Sequence, residues 1–148
     1  MNRRLAPLAL VAAFALAGCG GAAYTSTAPG QSSTAEVEQR VPDLTGAWKQ
    51  ANSASEDAYQ QATITGDDIT IEWVSDGGET TSTYWVGTFQ APKAQGPHTW
   101  VSTRDKAATD SALLASTDDT KEFTYADNTI SYKVSALGTT TTVKLEKK

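Results

Sequence analysis

From residue 44 onward the apolar side chains recur at every second position, in short runs broken by turn-forming sequences, and no helical period replaces them. Residues 59–65 form one such run. Gly66-Asp67-Asp68 then offers a tight turn into 69–74, where Ile69, Ile71 and Trp73 share one face and Thr70 and Glu72 take the other. Ser75-Asp76-Gly77-Gly78-Glu79 makes the next turn and leads into 80–89, a longer run of Thr, Tyr, Trp, Val and Phe. Pro92 and Gly96-Pro97 interrupt the chain before 98–103, which carries Trp100. Runs 121–126, 129–135 and 139–146 follow, separated by Ala126-Asp127-Asn128 and Leu137-Gly138. They alternate through Phe123, Tyr125, Ile130, Tyr132, Val134, Val143 and Leu145. Residues 107–116 are ambiguous: the alanines and leucines suit a short helix, but Leu113-Leu114 sets no period, so a loop with a turn of helix or a short strand is expected. This spacing predicts an all-β domain, either a single antiparallel up-and-down β-barrel of about eight strands or a β-sandwich. A closed barrel also leaves no exposed edge on strands this rich in Thr, Val and Tyr.

The chain ahead of residue 44 is built differently. Arg3 and Arg4 precede an apolar run over 5–16, interrupted by Pro7 and followed by small residues, which is the three-part layout of an export signal. A permanent membrane span needs about 20 apolar residues, so removal of this segment is expected. Leu16-Ala17-Gly18-Cys19 resembles the lipobox of bacterial lipoproteins. The resemblance implies cleavage before Cys19, a diacylglyceryl group on its thiol and fatty acyl chains such as palmitate. It places the protein on the extracytoplasmic face of a cell membrane. The alternative is an ordinary signal peptide in which Cys19 is coincidental. Residues 20–41 are Gly, Ala, Ser, Thr and Gln with scattered charges, a composition that buries too little surface to order itself. As a flexible coil such a segment reaches roughly 25 Å. The expected organisation is thus a signal peptide at 1–18, the lipidated cysteine and linker at 19–42, and the all-β domain at 43–148.

Charge and cysteine content narrow the function. Cys19 is the only cysteine, so once it carries lipid the domain has no disulfide, thiol-redox or Cys-ligated metal chemistry. Twelve basic residues, two of them Arg3 and Arg4 of the leader, stand against seventeen acidic ones, which leaves a formal charge of −7 on the processed chain. An acidic surface disfavours nucleic acid and adhesion to anionic lipid or wall polymer, so lipid on Cys19 is the expected hold on the membrane.

Leu44-Thr45-Gly46-Ala47-Trp48 resembles the G-x-W opening of the calycins, the lipocalins and their relatives among small eight-stranded barrels. The resemblance implies that Gly46 bends the backbone at the closed end, that Trp48 packs across the floor and that the barrel has room for a ligand. A turn followed by a core residue explains the same letters and predicts the same fold. Among the other tryptophans, Trp73 falls in phase with Ile69 and Ile71 and is expected in the core. Trp85 is out of phase with Tyr84 and Val86, so one of Tyr84 and Trp85 is expected to face outward or into a binding site. Tyr84, Trp85 and Trp100 are the candidate ligand- or partner-binding residues, with aromatic core packing as the alternative reading.

Catalytic groups are hard to assemble. His98 is the single histidine and lacks a second histidine for a metal or a cysteine nucleophile. Asp67-Asp68 and Asp118-Asp119 fall in turn-like stretches, where Asp serves the backbone by local hydrogen bonding. Asp76 and Glu79 around Gly77-Gly78 fall short of a calcium loop. The expectation is a non-enzymatic envelope lipoprotein without metal or cofactor, binding a small apolar molecule or an envelope protein. The alternative is an envelope inhibitor or a prophage superinfection-exclusion lipoprotein.

Overall fold

A computed structural model describes residues 40–136 and 138–148. The expected signal peptide, Cys19 and the expected linker up to residue 39 lie outside the described residues, as does Leu137. Eight strands follow one another: β1 Gly46–Gln50, β2 Tyr59–Thr65, β3 Asp68–Ser75, β4 Thr80–Thr88, β5 His98–Arg104, β6 Thr120–Ala126, β7 Thr129–Ala136 and β8 Thr139–Lys147. Each pairs antiparallel with the next, and β1 pairs with β8 through Trp48–Lys147 and Gln50–Leu145, which closes the sheet. The fold is therefore an all-β, lipocalin-like up-and-down barrel rather than a sandwich.

Alternation builds the interior. Ala62 and Ile64 of β2, Ile69 and Ile71 of β3, Phe123 of β6, Ile130, Tyr132 and Val134 of β7 and Val143 and Leu145 of β8 all point inward and are buried. The β6–β7 turn places Asp127 and Asn128 at φ of 50° and 59°, the left-handed pair that a two-residue hairpin requires and that Asp and Asn tolerate. Gly46 has φ of +121°, a conformation open to glycine at the bend into β1. Gly87 is fixed by space instead: a Cβ there would lie 2.4 Å from the Thr103 carbonyl oxygen and 2.6 Å from Ser102 Oγ.

That close approach occurs where β4 meets β5, the weakest seam of the barrel. The two strands pair only through Gly87–Arg104 and Thr88–Thr103. Above it, the β5–β6 connection covers the free edge of β4: Asp105 N donates to Val86 O and Ser116 N to Tyr84 O, each at 2.8 Å. The connection starts with one helical turn, α1 Lys106–Thr109, capped by Asp105 Oδ1 accepting from Ala108 N at 3.1 Å. Residues 107–116 thus take the loop-with-a-turn-of-helix form.

The pairing of β3 with β4 decides between the two placements expected for Tyr84 or Trp85, outward or into a binding site. Ile71 faces Trp85 while Glu72 faces Thr83, so Tyr84 is an extra residue in a β-bulge. Strict alternation fails at that point, and both Tyr84 and Trp85 turn inward, 5% and 0% exposed. Neither of them faces outward.

Candidate functional site

A column of aromatic rings runs through the barrel. Trp73 meets Tyr84 edge-on with ring centroids 5.4 Å apart, and Tyr84 stacks on Tyr132 at 6.4 Å. Tyr132 contacts Phe123 at 5.1 Å, Phe123 stacks on Trp100 at 5.5 Å, and Trp100 meets Phe89 at 5.4 Å. Trp85, Phe123, Ile69, Ile71, Ile130 and Leu145 have no accessible surface at all. A side chain beside a void large enough for water would show some, so the space around these residues is packed.

The strand directions define two ends. At the base, where β1 begins and β8 ends, Trp48 is buried and its Nε1 donates to Leu44 O at 2.8 Å. Lys147 reaches over its ring at 5.8 Å and donates to Asp43 O at 2.9 Å. Asp43 also accepts from Thr45 N, a bond that together with Lys147 holds its carboxyl below the usual carboxylate range. A hollow of about 460 Å³ lies beside this clasp, between Arg40–Asp43 and Tyr125.

The opposite end is the mouth. A hollow of about 450 Å³ opens there, lined by Trp73, Tyr84, Leu114, Ser116, Asp118 and Val134 among others. Its walls come from four elements: the end of β3, the bulge of β4, the β5–β6 connection and, on the far side, β7. Trp73 is half-buried, and its Nε1 donates to Leu114 O at 3.3 Å, tying the connection to the rim. Leu114 is 57% exposed and Leu113 100% exposed on the same connection.

Directly behind this wall the barrel carries polar groups. Lys121, in phase with Phe123 and Tyr125, points inward with its side chain 5% exposed. Its ammonium donates to Asp118 Oδ2 at 3.0 Å and lies 5.2 Å from the ring centres of both Tyr84 and Trp85. That ammonium and the Ser116 hydroxyl, which donates to the same carboxylate oxygen at 2.8 Å, hold the Asp118 carboxyl below its usual range. Deeper in, Tyr132 Oη donates to Gln60 Oε1, while the buried Gln60 Nε2 has no partner among the described residues. Burial, with Tyr84 nearby, pushes the Tyr132 hydroxyl well above its ordinary value.

Of the three candidate binding residues, the fold brings only Tyr84 to the mouth. Trp85 sits behind Lys121 with its Nε1 donating to Ser102 Oγ at 3.1 Å, and Trp100 is a core ring between Phe89 and Phe123. Trp73 is packed against the core yet reaches the rim. His98 begins β5 and stacks on Trp100 at 6.4 Å. Asp118 and Asp119 pair with Lys121 and Lys106 rather than with the backbone. Lys121 and Leu114 were not among the sequence candidates. Each had a signal: Lys121 sits two residues before Phe123, in the inward phase of its strand, and Leu113-Leu114 is the one pair of large apolar side chains in its connection.

Compared with protein-family models, curated proteins and solved structures, the chain shows no match. The class stands on the fold, a closed lipocalin-like barrel, and the functional reading on the mouth.

Proposed function

We propose that this chain is a lipid-anchored extracytoplasmic binding protein, without enzymatic activity, that receives an apolar ligand group in the hollow at the barrel mouth. One observation carries the reading. The aromatic column occupies the interior, and the concavity of about 450 Å³ stands above it, floored by Trp73 and Tyr84. That volume falls in the range of small-molecule sites, whose walls are mainly apolar with a few placed polar groups. The anchor is supported by the export signal and the Leu16–Cys19 sequence. Replacing Cys19→Ser in the full chain should abolish incorporation of a labelled palmitate analogue and release the protein from the membrane. Retained label would remove the lipoprotein reading.

Leu113 favours a second reading. A leucine wholly exposed beside the hollow is the kind of side chain that a protein partner buries, which fits an inhibitor or exclusion lipoprotein. Native mass spectrometry of the Cys19→Ser chain separates the two. A co-purifying small molecule supports the ligand-binding barrel. An empty mass, with a Leu113→Asp variant that loses an envelope partner captured by the parent chain, supports the second.

A further inference from the structure

Lys121 is an anomaly for a barrel interior. An ammonium taken out of water needs an anionic partner, and here that partner does not come from the barrel wall. Asp118 belongs to the β5–β6 connection, and its side chain is 63% exposed while that of Lys121 is 5% exposed. Asp118 can therefore turn into water at little desolvation cost, whereas Lys121 has nowhere to go. Among the described residues, the hydrogen bond that the ammonium makes is to Asp118, and its other side faces the Tyr84 and Trp85 rings. Asp118 and Tyr84 both line the mouth hollow, so Lys121 stands one side chain behind its wall.

We infer that the mouth recognises amphipathic organic anions, with the apolar body on Trp73, Tyr84, Leu114 and Val134 and the carboxylate taking the place of Asp118 on Lys121. This rests on the mouth being a binding site, as proposed above. The charge pattern selects the anion. An incoming ammonium meets a carboxylate whose charge Lys121 already offsets and brings a second cation beside that buried ammonium, and a neutral ligand gains no charge-assisted bond. An incoming carboxylate replaces one ion pair by another and keeps the buried ammonium neutralised. The protein's overall acidity opposes this little, because surface carboxylates in water are screened beyond about 8 Å at physiological salt, whereas the enclosed ammonium is screened much less.

The test uses the Cys19→Ser chain and three matched probes, phenylbutyrate, phenylbutanol and phenylbutylamine, titrated by calorimetry near neutral pH. Phenylbutyrate should bind tightest, by at least about fivefold over the alcohol, with the amine weakest. Asp118→Asn removes the competing carboxylate and should strengthen phenylbutyrate binding by about tenfold. Lys121→Met should bring phenylbutyrate down to the affinity of the alcohol, and Lys121→Arg should keep the preference. If Lys121→Met does not fold, Asp118→Asn and Lys121→Arg decide. Equal binding of acid and alcohol to the parent chain, or an Asp118→Asn chain that binds phenylbutyrate no better, overturns the anion inference and leaves mouth binding standing. Binding of none of the three overturns both.

Discussion

Single residues set the balance between packing and chemistry in this barrel. Trp85 is wholly buried, its indole N–H is satisfied by Ser102, and its ring lies beside the Lys121 ammonium. Truncating it removes a large apolar surface, strands a hydroxyl and takes away one wall of the ammonium's enclosure. Trp85→Ala should destabilise the domain by about 3 to 5 kcal/mol, measured by denaturant unfolding. A cost under about 1 kcal/mol would mean the ring is not in the core. A second expectation concerns acid. The carboxyls of Asp43, Asp118 and Asp119 are all held below the usual range, by Thr45, Lys121 and Lys106 respectively as the leading partners. Because their folded values are depressed, the stability they contribute is present above the unfolded carboxylate value near about 4 and is lost as the pH falls through the folded values. The melting temperature should decline on acidification from about pH 5 to pH 3, and Asp118→Asn should flatten that slope. An unchanged slope would show that the Lys121 pair adds nothing beyond solvent screening.

At the scale of elements, the telling feature is the seam between β4 and β5. Two residue pairs cannot hold a barrel wall, and the connection after β5 supplies what the strand does not, with Ser116 N bonded to Tyr84 O. Ser116→Pro deletes that donor and leaves a buried bulge carbonyl unpaired, which should cost about 1 to 3 kcal/mol in thermal unfolding. Ser116→Ala keeps the N–H and loses only the hydroxyl bond to Asp118, so it should cost less. Equal effects of the two would assign the loss to the hydroxyl and not to the edge. The strands themselves were legible in the sequence because alternation and turn residues are local signals. The bulge was not, because an extra residue in β4 is defined only against its partner in β3. That is why the phase argument could not show that Tyr84 and Trp85 both turn inward. The mouth hollow was out of reach for a related reason, since it joins β3, β4, β7 and a connection without period, and only closure brings them together.

For the molecule as a whole, the two ends of the barrel have different duties. The chain enters at the base, where Asp43 and Leu44 are clasped by Lys147 and Trp48, and the hollow with Leu113 and Leu114 opens at the other end. Strands of this length, at about 3.3 Å per residue, separate the ends by on the order of 25 Å. If lipid on Cys19 holds the protein, the tether joins the domain at the base, so the base stays nearer the bilayer on average than the mouth. The anchored state can report this directly, because a lipidated Cys19 has no free thiol and a maleimide dye will label only an introduced cysteine. Asn128→Cys marks the base and Ser135→Cys marks the mouth, both at exposed positions. With an acceptor in the lipid headgroups, energy transfer should be more efficient from the Asn128 site. Equal or greater transfer from the Ser135 site would overturn this arrangement. It would bring Leu113 and Leu114 to the bilayer and make the mouth a membrane contact rather than a port for soluble ligands.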